Sequence, residues 1–150
     1  MGQIVKNIVT GKEIQKPDPT NEEVTFDGGV MITETDTAGI ITYANPKFRE
    51  MTGYTKEELI GTPHNLNRHP DMPKEVFKIM WETLKGGNYW EGFVKNLRAD
   101  GKYYLVIVWI KPRLNDNGDI IGYIAGRKIP DKALINRALI EYKKMKANES

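Results

Sequence analysis

The chain has 150 residues, 39% hydrophobic and 28% charged, and 22 Lys and Arg against 20 Asp and Glu leave a net charge of +2. That length and balance suit one domain able to bury a proper core, and so small a charge excess gives no electrostatic footprint for a nucleic-acid partner. Cysteine is absent, which removes disulfides, thiolate nucleophiles, cysteine-based zinc sites and iron–sulfur clusters.

No stretch approaches the roughly 18 consecutive apolar residues of a membrane span, and the N-terminus has no signal-peptide core. The expected location is therefore the cytoplasm, with any membrane association carried by a partner receptor. Ile4, Val5, Ile8 and Val9 fall at helical spacing ahead of Gly11. The following KPDPTNEE reads as an extended linker, because each proline biases the residue before it away from helix. Residues 1–24 are expected to be an appendage, either a capping helix with its linker or a partly disordered tail.

The domain proper is expected over residues 25–130. Two apolar runs flank Asp36-Thr37-Ala38-Gly39 and predict a hairpin with strands near 30–35 and 40–43. Asn45 as a cap and Pro46 in the first turn predict a short helix that ends before Gly53. Thr55 and Glu58 have capping-box spacing for a second one. After the irregular TPHNLNRHPDM, Val76, Phe77, Met80 and Leu84 recur at three and four and predict a helix over about 73–85.

Three strands follow at about 89–98, 102–112 and 119–127, separated by ADGK and NDNGD. The order is an α+β pattern with an antiparallel sheet. In the strand YYLVIVWIK both parities are apolar, so both faces of the sheet need cover. Residues 131–150 form the last segment, an amphipathic helix capped by Asp131, which serves either to pack on its own domain or to dock an output partner.

The sequence holds no Gly-x-Ser-x-Gly, no Walker loop and no Gly-x-Gly-x-x-Gly, so hydrolase and nucleotide-loop readings fail. A metal would have to rest on His64, His69 and Asp71. What remains is a polar loop, PHNLNRHPD, followed by Trp81, Tyr89, Trp90 and Tyr104. Arg68 offers a planar fork for phosphate or carboxylate, and the aromatics either fill the core or flank a planar ring.

The run from ITETDTAGIITYAN to IIGYIAGRK resembles a PAS domain, and GYTKEELIGTPHNLNRHPDMPKEVFKIMWETLKGGNYWEGFVKNLRADGKYY is similar to the PAS domains of the aerotaxis-receptor family. The resemblance implies a five-stranded antiparallel sheet with helices over one face. It implies non-covalent FAD, no enzymatic activity, and the reporting of redox or energy state to chemotaxis signalling.

Residues matching the family's flavin-linked positions are Asn45, His64, Arg68, His69, Asp71, Trp90, Asn96 and Tyr104. Trp90 would pack on the ring, the two asparagines would answer a proton gained on reduction, and Arg68 would neutralise a pyrophosphate or ring carbonyl. Lack of cysteine removes the flavin adduct of a light sensor. The implied partner is a membrane chemoreceptor or HAMP signalling domain, in the same chain or a separate one, with a homodimer as a further option. Alternatives are a heme gas sensor with His64 or His69 as axial ligand, a flavin enzyme, and a ligand-free dimerisation domain.

Overall fold

The computed structural model describes residues 3–149. It corrects the reading of the N-terminus, where a hairpin replaces the expected helix. β1 (Ile4–Lys6) pairs antiparallel with β2 (Glu13–Gln15), and Val5 and Ile14 are buried while Ile4, Ile8 and Val9 are exposed. The apolar spacing fits a helix, but Asn7 decides otherwise by competing for backbone groups. Its buried amide donates to the carbonyls of Glu57, Glu58 and Ile60, and its Oδ1 accepts from the N–H of Val9 and Thr10. The hairpin is thereby tied down, and Gly11 serves its turn rather than stopping a helix.

β3 (Met31–Thr35) and β4 (Ile41–Ala44) form the expected hairpin. Asp36 makes its turn by accepting from the N–H of Ala38 and Ile40, each at 2.9 Å, and Gly39 supplies the left-handed residue at φ 83. α1 (Pro46–Thr52) starts at Asn45, whose Oδ1 accepts from the Phe48 N–H at 3.0 Å. α2 (Lys56–Leu59) carries the complete Thr55–Glu58 capping box. A single 3-10 turn (His64–Asn67) leads into α3 (Lys74–Lys85).

β5 (Trp90–Leu97), β6 (Tyr103–Leu114) and β7 (Ile120–Lys128) complete a five-stranded antiparallel sheet in the order β4-β3-β7-β6-β5. Met31, Ile41, Phe48, Leu59, Leu66, Tyr104 and Val106 are fully buried and form the core of the fold. Each such side chain contributes roughly 1.5–3 kcal/mol by leaving water. The outer residues Leu105, Ile107 and Trp109 are half-buried, and the Trp109 indole lies across Gly126, where any Cβ would collide with it.

Both sheet edges are covered, which blocks further strand addition. Segment 61–63 bonds to β4, and the β5 edge receives a bridge from Arg68, the Met72 sulfur and the Tyr142 hydroxyl. Tyr142 belongs to α4 (Lys132–Ala147), capped by Asp131. This helix buries Ile135, Tyr142 and Met145 to differing degrees, and Leu134 is exposed. Beyond its end, Glu149 accepts from the Lys74 N–H, so a carboxylate completes the start of α3.

Candidate ligand cavity

A cavity of about 260 Å³ lies between the inner sheet face and α3. Small-molecule sites span about 300–1,000 Å³, so this one is scaled to a ring system rather than a whole dinucleotide. Phe77, Met80, Trp81 and Leu84 line it from α3, and Trp90, Val108 and Ile110 face them from the sheet. Trp90 is laid flat by its neighbour: Gly92 is on the same face two residues on, and a Cβ there would strike the indole. These walls are largely apolar.

One end of the cavity is polar. His64 Nε2 lies 3.0 Å from Thr33 Oγ1 and 3.0 Å from Arg127 Nη2, and Arg127 Nη1 donates to Thr33 Oγ1 at 3.0 Å. A guanidinium can only donate, so Nε2 accepts and His64 is neutral. Burial and the Arg127 charge push its pKa down to about 3. Burial also lowers Arg127, to about 10, which leaves it protonated at neutral pH. Its guanidinium sits 4.8 Å from the Phe48 ring centroid.

The second cation of the cavity is Arg68, stacked 3.8 Å from the Phe77 centroid. Its Nε is buried without a hydrogen-bond partner, as is Asn65 Oδ1 beside it on the cavity wall. Such groups cost about 1–3 kcal/mol each when left unmet. Lys16 fixes this stretch from behind by donating to the carbonyls of Asn65 and Arg68, each at 2.8 Å. Burial and the nearby Arg68 charge lower its pKa to about 8. Asn96 of β5 lines the same region and is 8% exposed.

Of the eight residues singled out by sequence, the cavity thus gathers His64, Arg68, Trp90 and Asn96. The other four sit elsewhere. Asn45 spends its amide on the Val30 carbonyl and its oxygen on the α1 cap. His69 is 2% exposed, and its Nδ1 accepts from the Asp71 N–H at 3.0 Å. Burial and the Lys95 and Lys16 charges push it down to about 4 against the opposing pull of Asp71.

Asp71 faces outward and pairs with Lys95 at 2.9 Å. Burial opposes its ionisation, but the Lys95 hydrogen bond prevails and holds the carboxyl below its usual range. Tyr104 is fully buried beneath the cavity with its hydroxyl near Asn96, and burial raises that phenol to about 12. His69 Nδ1 lies 3.8 Å from Asp71 Oδ2, but His64 is turned to Thr33 and Arg127, and among the described residues no cluster is arranged to hold a metal. Of the two histidines, His64 Nε2 is engaged by Thr33 and Arg127, and His69 lies off the cavity lining with its Nε2 buried and unpartnered.

Arg127 and Thr33 escaped the sequence reading. Strand parity carries the signal, since Tyr123, Ala125 and Arg127 alternate onto one buried face of β7, and Met31, Thr33 and Thr35 do so on β3. A charged residue at an inward position of an otherwise apolar strand marks a site.

Residues 41–125 match the PAS fold, and the chain belongs to that family. It is 46% identical over 101 residues to the aerotaxis receptor of Escherichia coli, covering 67% of this chain and 20% of the receptor. It is 38% identical over 96 residues to the nitrogen fixation regulatory protein of Klebsiella pneumoniae, covering 64% of this chain and 19% of that one. The chain therefore spans about a fifth of the length of these relatives. Among solved structures, the light state of the blue-light photoreceptor Aureochrome1 LOV superposes with a TM-score of 0.67 at 17% identity, covering 76% of this chain and 91% of that one. That likeness concerns the fold.

Proposed function

We propose that this PAS domain is a sensor that holds FAD non-covalently in the cavity and reports its redox state to a chemotaxis-type receptor. The observation that carries the reading is the apolar cavity with one buried arginine, Arg127, one half-buried arginine, Arg68, and, among the described residues, no acid on its walls. Such a cavity accepts a planar, electron-poor ring whose edge presents acceptors. The likeness to the aerotaxis receptor of E. coli supports the same ligand class and signalling role. The flavin, when bound, supplies reversible electron uptake coupled to protonation.

Trp90 and Phe77 both line the space that would take the ring, and Arg68 stacks on Phe77. The free Asn65 oxygen and the Arg68 Nε–H are available to its polar edge, and Asn96 offers an amide that both donates and accepts. Asn45, His69, Asp71 and Tyr104 are positioning residues that set the shape of the surrounding elements. The cavity takes the ring, and the remainder of the dinucleotide extends beyond it.

Signal leaves along β7, which carries Ala125 and Arg127 on the cavity and joins α4 after three residues outside regular structure. A receptor or signalling domain must distinguish the two redox forms by affinity for the message to pass. Among the described residues no helix is long and apolar enough to cross a membrane.

The test is the visible spectrum of the purified protein, chromatography of the chromophore released by heat, and hydrogen exchange of α4 in both redox states. A two-banded flavin spectrum, released FAD and a change in α4 protection are expected. A Soret band, or a colourless protein that takes up no added FAD, overturns the reading.

A further inference from the structure

Arg127 is 4% exposed yet borders the cavity. The groups facing it are Thr33 from β3, Phe48 from α1, His64 from the 3-10 turn and Tyr104 from β6. All four are neutral at physiological pH. Among the described residues no carboxylate lines the cavity, whose titratable residues are His64, Arg68, Tyr123 and Arg127. Withdrawing a guanidinium from water costs several kcal/mol unless an opposite charge meets it, and the protein supplies none at this point.

The geometry also separates the two arginines. Arg68 is half-buried and lies against Phe77, whereas Arg127 is clamped by two hydrogen bonds at 3.0 Å. A cation held in this way needs no reorganisation when charge appears beside it. His64 acts as the positioning residue, because only a neutral imidazole can accept from Nη2.

We propose that Arg127 sets the redox preference of the cavity by stabilising the negative charge that the flavin ring gains on two-electron reduction. The proposal rests on the flavin reading above. Two electrons enter from an external low-potential donor and one proton goes to ring N5. The remaining negative charge, spread over the pyrimidine part of the ring, stays unprotonated against the guanidinium. No protein bond is made or broken.

The experiment is a dithionite titration, with reference dyes, of FAD-loaded wild type, Arg127→Gln and Arg127→Lys, after circular dichroism has verified folding. Arg127→Gln is expected to lower the ratio of reduced to oxidised FAD affinity at least about tenfold, a midpoint about 30 mV more negative for a two-electron couple. Arg127→Lys keeps the charge and recovers most of that shift.

Should the glutamine variant fail to fold or lose FAD, the wild-type midpoint is followed with pH in mildly acid solution. One proton per two electrons, about 30 mV per pH unit, supports the proposal, and twice that slope overturns it. An Arg127→Gln protein holding FAD at the wild-type midpoint sinks this inference alone. Wild type that binds no FAD sinks the flavin reading and this inference with it.

Discussion

Within four residues of one loop, charge is handled in two opposite ways. Arg68 turns inward and leaves its Nε buried and unmet beside the free Asn65 oxygen. Three positions on, Asp71 turns outward and is answered by Lys95 at 2.9 Å, while Lys95 lies 4.4 Å from the Tyr103 ring and His69 accepts the Asp71 N–H. The outer group answers its charges internally and latches loop to sheet, although His69 Nε2 is buried without a partner. The inner group leaves its charge unanswered, which is why the proposed ligand is placed there.

The comparison can be broken most severely at its shared foundation. Phe48 is fully buried under both Arg127 and the His64 ring, so Phe48→Ala should cost about 3–5 kcal/mol in denaturant unfolding. A loss near that of a surface change would show that the polar end of the cavity does not rest on the core.

Acid sharpens the contrast next, because each region holds one neutral histidine. The folded pKa values of about 3 for His64 and about 4 for His69 lie below the ordinary 6.5, so the unfolded chain binds more protons between those limits. Stability is then full above 6.5 and falls as pH drops towards 4, by as much as roughly 1.4 kcal/mol per pH unit for each ring. Unfolding at pH 7 and pH 5 should differ by about 3 kcal/mol, and His64→Gln and His69→Gln should each remove part of that difference. An unchanged midpoint would contradict the buried neutral state of both.

Smaller effects separate the inward and outward charges. Arg68→Ala should weaken FAD binding by about 1.5–3 kcal/mol, the worth of a hydrogen bond to a charged group, read by equilibrium titration. Asp71→Asn should leave that affinity within about twofold and cost at most about 1 kcal/mol of stability, as exposed ion pairs do. Equal losses of FAD in the two variants would erase the distinction between site and latch.

Much of the domain was legible because its local signals agree with one another. The Asp36 turn, the Asn45 cap, the Thr55–Glu58 box and the three- and four-residue spacing of α3 each specify an element that forms. The N-terminal hairpin was hidden because Ile4, Val5, Ile8 and Val9 satisfy a helical period, and only the distant α2 carbonyls met by Asn7 select the strand pair. Likewise, motif positions gave His64, Arg68, Trp90 and Asn96 of the cavity but missed Arg127. It belongs to no loop motif, and its meaning comes from pairing β7 with β3 across 94 positions.

The central claim is that the cavity lined by Trp90 and Phe77 is a flavin site. Its most direct test is titration of ligand-free protein with FAD while following tryptophan fluorescence. Saturable quenching at one FAD per chain, strongly weakened in Arg68→Ala and kept in Asp71→Asn, is the predicted result. Absence of saturable quenching in the wild type, with the fold intact, would contradict the account.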